Sequence, residues 1–477
     1  MPSTRFLAPL LASALTLACA VPPDLSQGDD LSRQDLERRQ ASVALGAKLL
    51  CSGVFVAGRE PDEFIERDLQ APEYTFHDWS ETRVDVDREA RRVTVEAPGT
   101  DARRAVYTGD QGCVLLPLLA DDVFFPPETI ERQGAGSGGW PEPASPPLAA
   151  EQQERLDEVL AGALEEREGQ PVQDTRALVV LRGDRLVAEA YAPGFDGSSR
   201  QIAWSMGKSV MAALVGTLVQ ADRLDVDAPA PVPAWQGDAR SEITVTDLLQ
   251  MSGGLDFNQF GTDDPEYYTG EHHHELVYFG AVDVHDYVLD RPLAHEPGTH
   301  WAYRNTNPLA LGAILQRLLE AEGASPLAYP QRALFDKIGA RDFVLETDPY
   351  GHFLITGFVY GTAYDWARFG LLHLQDGVWQ GERVLPEGWS RFVSTPAPAH
   401  PQQGYGAQFW LNAGGRYASW PKDAYWAAGW LSQMVLVVPS RDVVFVRLGH
   451  SAEGGFAEYI EPLVADVLEI LAESTTG

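Results

Sequence analysis

Apolar positions at Leu36, Val43, Ala47 and Leu50 recur on a 3.6-residue period, which predicts a helix over 31–50 that Cys51 ends. Arg83 to Val86 and Arg92 to Val95 instead alternate with period two, so they read as strands joined by the polar turn Asp87-Arg88-Glu89, with Ala105 to Tyr107 a less regular third. One helix and a small antiparallel meander make an α+β unit over 31–126. Residues 133–147 are rich in Gly, Ser and Pro, which bury little and break both helix and strand, and they read as a linker. A larger unit then spans 151–473. Glu151 to Leu164 has helical spacing, and Ala177 to Leu181 with Leu186 to Tyr191 forms a hairpin around Arg182-Gly183-Asp184-Arg185, a turn rather than an adhesion signal. Val210 to Val219 and Leu309 to Leu319 are apolar enough for buried helices. Ile243 to Leu255 is a strand or helix entry running into a turn at Gly253-Gly254, and the aromatic stretch to about Arg291 reads as loop, fit either to wall a substrate pocket or to pack a core. Thr362 and Asp365 have capping-box spacing ahead of a helix over Trp366 to Leu374. Gln433 to Pro439 and Val443 to Leu448 form a strand pair, and Phe456 to Leu471 a closing helix.

Composition narrows the classes of function. The 477 residues carry a formal net charge of -33, which argues against nucleic acid and anionic lipid surfaces, since both need clusters of Lys and Arg. Residues 1–20 have the form of an export signal: Arg5, the apolar core Phe6 to Leu17, then the small residues Ala18 and Ala20. Leu15-Thr16-Leu17-Ala18-Cys19 is similar to a bacterial lipobox, with Thr16 where an aliphatic residue is usual. Two outcomes stay open, lipidation at Cys19 or ordinary cleavage. The expectation is a periplasmic or outer-membrane-anchored protein, touching membrane only through such an anchor. Cys51 and Cys113 remain in the mature chain, and an oxidising compartment favours a disulfide between them over two buried thiols.

Chemistry concentrates in Trp204-Ser205-Met206-Gly207-Lys208-Ser209. Residues three apart on a helix share a face, so Ser205 and Lys208 become neighbours. A lysine in a dry site loses its proton readily, and its amine can then activate a serine hydroxyl. Lys208 lies in an otherwise apolar segment, where a solvated lysine would not be placed. Tyr303 supplies a phenol able to shuttle a proton, and Asn305 a neutral amide to hold substrate or lysine. Glu271-His272-His273-His274-Glu275 invites a metal reading, but no helical His-x-x-x-His pair is present, so a solvated loop is expected and no metal or other cofactor is assigned.

Ser205-x-x-Lys208, the run Leu248-Leu249-Gln250-Met251-Ser252-Gly253-Gly254-Leu255 and Tyr303-x-Asn305, in that order, resemble the serine β-lactamase and penicillin-binding-protein superfamily, in particular its class C-like esterases and 6-aminohexanoate-dimer hydrolases. The resemblance covers about Glu151 to the C-terminus. It implies an α+β fold, an antiparallel sheet flanked by helices with a helical lobe, and a Ser205, Lys208, Tyr303 acyl-enzyme mechanism on a small ester or amide. It also implies an oxyanion hole built from backbone N–H groups of Ser205 and the Gly429-Trp430 region. Lys-Thr-Gly, usual in penicillin-handling members, is absent before the last strand pair, where Trp426-Ala427-Ala428-Gly429-Trp430 stands instead. β-Lactamase or D-Ala-D-Ala peptidase activity is one alternative, and a silent envelope binding module of the same fold is another. A third reads Ala203-Trp204-Ser205-Met206-Gly207 as a degenerate α/β-hydrolase elbow, which would need a late histidine such as His450. Oligomeric state is not indicated.

Overall fold

The computed structural model describes residues 33–69, 79–133, 145–166, 172–258, 273–451 and 456–473. Residues 1–20, with Cys19, and most of the linker lie outside them. Helix α1 (Arg33–Phe55) runs past Cys51. The Ser52 hydroxyl oxygen lies 3.0 Å from the Lys48 carbonyl, and Gly53 lets the Phe64 ring lie against the helix, where a Cβ would stand 2.5 Å from it. Strands β1 (Arg83–Asp87), β2 (Arg92–Glu96), β3 (Arg103–Tyr107) and β4 (Cys113–Leu115) form an antiparallel sheet in that order. Val93 and Val95 on β2 are fully buried, as are Val43, Ala47 and Leu50 on the facing side of α1. The sequence reading missed β4 because three residues are too few to show a period. The Cys51–Cys113 disulfide fastens α1 to β4 across 62 residues, a loop whose closure contributes on the order of 4 kcal/mol in the chain-entropy model.

The larger unit begins with α2 (Ala150–Gly162), β5 (Thr175–Arg182) and β6 (Arg185–Tyr191), then β7 (Gln201–Ile202) and α3 (Gly207–Gln220). A helical lobe follows: α4 (Val245–Leu249), α5 (His273–Phe279), α6 (Val284–Leu289) and α7 (Thr306–Ala321). The chain continues through β8 (Val344–Leu345), β9 (Val359–Gly361), α8 (Ala363–Leu374) and β10 (Trp410–Leu411). It closes with β11 (Tyr425–Gly429), β12 (Gln433–Val438), β13 (Val443–Gly449) and α9 (Glu461–Ala472). The central sheet is antiparallel, in the order β10-β11-β12-β13-β5-β6. On β5, Ala177, Val179 and Leu181 face the core shared with α8 and the lobe, while Leu178 and Val180 face α2 and α9. Burial on both faces explains why Ala177 to Leu181 reads as an unbroken apolar run. The fold class is the expected one, an antiparallel sheet flanked by helices with a helical lobe.

Two readings are corrected in the lobe. The aromatic stretch is not loop throughout, because it holds α5 and α6; Asp283 caps α6 by accepting the Asp286 N–H at 2.9 Å, and Val277, Tyr278, Val284 and Val288 are buried. Helices of six or seven residues are too short for a clear period. The histidine run is not a solvated loop where it is described: His273 is buried on α5, and His274 turns toward the candidate site. Glu271 and His272 lie outside the described residues.

Beside α6, His352 Nδ1 stands 3.0 Å from Asp283 Oδ1 and 3.3 Å from Asp348 Oδ2, with the neutral ring of His285 stacked on it at 4.1 Å. These three ligand-type side chains are close enough to suggest a cation site. Both carboxylates, however, already accept backbone N–H groups, from Asp286 for the first and from Val284, Tyr350 and His352 for the second. An ion triad around a protonated imidazole fits better. Burial opposes that charge, but pairing with Asp283 and Asp348 outweighs it and raises the His352 pKa from 6.5 to about 9. A raised histidine pKa stabilises the fold fully below the unfolded value and loses that contribution as pH rises through the folded one. The melting temperature is therefore expected to fall between pH 6.5 and 9 by an amount that His352→Gln removes, as a pH series of thermal melts would read.

Candidate active site

Ser205 sits in a 3₁₀ turn, Trp204–Met206, that feeds directly into α3, so Lys208 is the second residue of the helix. The turn is held from two sides. Ala203 N–H donates to the Val359 carbonyl at 2.8 Å, and the Ile355 carbonyl lies where a Cβ on Gly207 would be, only 2.1 Å away, so glycine is required there. Lys208 Nζ is 2.8 Å from Ser205 Oγ, and both point at the Thr356 carbonyl, at 3.2 and 3.3 Å. Lys208 is 1% exposed, and burial alone drives its pKa well below 10.5, since no carboxylate among the described residues pairs with it. A neutral amine beside a hydroxyl is a base ready for use.

Tyr303 closes the group. Lys208 Nζ stands 4.8 Å from the centre of its ring, and burial raises the phenol pKa while a hydrogen bond with Ser205 pulls the other way. The phenol therefore holds its proton at neutral pH. The Ser252-Gly253-Gly254 turn explains how Tyr303 is placed: Ala302 N–H donates to the Met251 carbonyl at 3.0 Å and Gly298 N–H to the Ser252 carbonyl at 2.9 Å. Gly254 has φ +76°, and its missing side chain leaves room for the His295 carbonyl, 2.3 Å from where a Cβ would be.

Asn305 is fully buried, and its side-chain nitrogen faces the Tyr278 hydroxyl at 2.9 Å and His274 Nδ1 at 3.2 Å. Those two contacts engage both of its hydrogens. Burial, with Lys208 nearby, lowers the His274 pKa to about 3, so this ring stays neutral. The Tyr278 hydroxyl in turn donates to Thr356 Oγ1 at 2.9 Å. His274, Tyr278 and Thr356 are thus part of the site: the sequence reading meets His274 only in the histidine run and Tyr278 only in the aromatic stretch, and gives neither a role here, while nothing in the sequence marks Thr356.

Gly429 ends β11 against the serine turn. A Cβ there would lie 2.1 Å from the Ala203 carbonyl, and the rings of Trp430 and Trp204 meet edge to face at 5.3 Å. The Gly429-Trp430 backbone thereby borders the turn that carries Ser205. Ala427 and Ala428 bring no cation to this edge. Trp410 and Tyr405 flank the Tyr303 ring at 5.4 and 5.9 Å.

The elbow reading fails on topology, since Ser205 follows a two-residue strand paired antiparallel with β9, not a parallel strand entering a helix. His450 is engaged elsewhere, with Nδ1 3.2 Å from Asp68 Oδ1.

Comparison with known proteins gives matching results. The Beta-lactamase family model matches residues 162–469. A 6-aminohexanoate-dimer hydrolase of Paenarthrobacter ureafaciens is 30% identical over 295 residues, 58% of this chain and 73% of that protein. Among solved structures, a Bacillus anthracis protein provisionally assigned as a 6-aminohexanoate-dimer hydrolase aligns with TM-score 0.53 at 19% identity, over 64% of this chain and 84% of that one. A family VIII carboxylesterase aligns with TM-score 0.51 at 12% identity, over 69% of this chain and 98% of the other. At those identities the structural likeness concerns the fold.

Proposed function

The chain belongs to the β-lactamase family, and from that premise we propose that it is an exported serine hydrolase that opens small esters or linear amides through an acyl-enzyme on Ser205. The observation that carries this reading is the buried Lys208 amine, 2.8 Å from the Ser205 hydroxyl and with no carboxylate paired to it among the described residues. In the proposed reaction Ser205 Oγ attacks the acyl carbon and its proton passes to Lys208. Tyr303, held as a neutral phenol, gives its proton to the departing alkoxide or amine and is reprotonated from Lys208. Water then enters by the reverse route, and the acid leaves. Backbone N–H groups of Ser205 and Trp430 are assigned to the oxyanion, for which the close approach of Gly429 to Ala203 offers the setting. Export and a lipid on Cys19 are part of the proposal and rest on residues 1–20 alone.

The test is hydrolysis of p-nitrophenyl acetate and butyrate. Turnover by the wild type and its disappearance to background in Ser205→Ala are expected, whereas turnover that survives the substitution contradicts the mechanism.

A further inference from the structure

One buried ion pair in the hydrolase unit takes its cation from the N-terminal unit. Glu346, fully buried, receives Lys48 Nζ at 2.8 Å and the Ser52 hydroxyl at 2.7 Å, both from α1, and the Cys113 N–H at 2.8 Å, from β4. Lys48 also donates to the Cys113 carbonyl, so the disulfide partner is bound on both its backbone groups. The seat is shaped for this carboxylate. Gly112, at φ +66°, lies so close that a Cβ would stand 2.6 Å from Glu346 Cγ.

The backbone of the same residue holds the other end of the connection. Glu346 N–H donates to the Phe358 carbonyl at 3.0 Å and its carbonyl accepts the Leu354 N–H at 2.9 Å, which clamps both ends of the loop 354–358. Thr356 lies at the middle of that loop, and its carbonyl is the shared partner of Ser205 Oγ and Lys208 Nζ. Lys48 Nζ also stands 4.8 Å from the centre of the Phe358 ring, which touches Trp204 at 5.7 Å and Tyr278 at 5.4 Å. A carboxylate held by three donors has one position, and here that position sets the loop behind the nucleophile.

We infer that Glu346 is a positioning residue through which the disulfide-bonded N-terminal unit holds Thr356, and with it the Ser205–Lys208 pair, in reactive geometry. The inference rests on the hydrolase reading above. It makes the N-terminal unit a working part of the catalytic unit. Loosening the loop admits water to Lys208, whose titratable neighbours among the described residues are the neutral groups Tyr303 and His274, and so raises the pKa of its amine toward 10.5.

Two charge-balanced double variants of the full chain separate geometry from charge. Lys48→Met/Glu346→Gln retains an acceptor for Ser52 and Cys113, whereas Lys48→Met/Glu346→Ala does not. At a temperature where thermal melts show both folded, the Gln variant is expected to keep kcat/KM on p-nitrophenyl acetate within about threefold of wild type. The Ala variant is expected to lose about ten- to a hundredfold, as a misplaced reacting group does. Its acidic limb in the pH–rate profile should move to higher pH, a change that a purely structural role would not produce. Ser52→Ala, which removes one donor, is expected to show a smaller loss and the same direction of shift, and it carries the test if the Ala variant does not fold. Equal rates and an unmoved limb in these variants would overturn the inference. Ser205→Ala in parallel keeps the two questions apart, because residual turnover there would instead overturn the hydrolase reading.

Discussion

Replacing Lys208 by methionine is expected to cut kcat/KM on a small ester by about 10²- to 10⁴-fold, the usual worth of a positioned base, while leaving the protein at least as stable as wild type. Both halves come from one feature. The amine is 1% exposed, has no paired carboxylate among the described residues, and is pushed well below 10.5 by burial. A base whose folded pKa is depressed binds fewer protons folded than unfolded, so wild type loses stability as pH falls from 10.5 toward the folded value. Methionine fills nearly the same volume without that penalty, and the gain in melting temperature should grow toward acid pH. Ester kinetics and thermal melts on the same preparations check this. A variant that lost activity only in proportion to lost fold would show that Lys208 is structural.

The second large effect concerns substrate choice. The resemblance to penicillin-handling members implies that a Lys-Thr-Gly lysine on the strand beside the serine helps to hold the substrate carboxylate, and here that edge carries Ala427, Ala428 and Gly429. Losing a charge-assisted hydrogen bond costs roughly 1.5 to 3 kcal/mol, or about 10- to 150-fold in binding. Neutral esters lose nothing, and the partly exposed ring of Trp410 beside Tyr303 offers them apolar surface. The expected result is measurable turnover of p-nitrophenyl butyrate with weak or no turnover of a cephalosporin by the same preparation. A higher kcat/KM on the cephalosporin would reverse the assignment of substrate class.

How much of this was legible in the sequence depends on the length scale of each signal. Long or two-sided elements announced themselves: the apolar run Val210 to Val219 lies within α3, Leu309 to Leu319 within α7, and the capping box of Thr362 and Asp365 begins α8. Short elements did not. Strand β4 and helices α5 and α6 are fixed by tertiary contacts, among them the disulfide at Cys113 and the Asp283 cap, and not by a period of their own. In the candidate site, Ser205, Lys208 and Tyr303 were visible because a helical repeat and a local motif hold them. Thr356 was not, because it contributes a backbone carbonyl, which any residue could supply. Glu346 was equally hidden: its partners Lys48, Ser52 and Cys113 are more than two hundred positions away, and only the folded chain brings them together.

Covalent acylation of Ser205 is tested most directly by intact-mass spectrometry with peptide mapping. Treated with a fluorophosphonate, or quenched during turnover of a slow ester, the wild type is expected to gain one adduct on the peptide that contains Ser205. Ser205→Ala should gain none. An adduct on a different residue, or ester turnover by a wild type that never carries one, would contradict it.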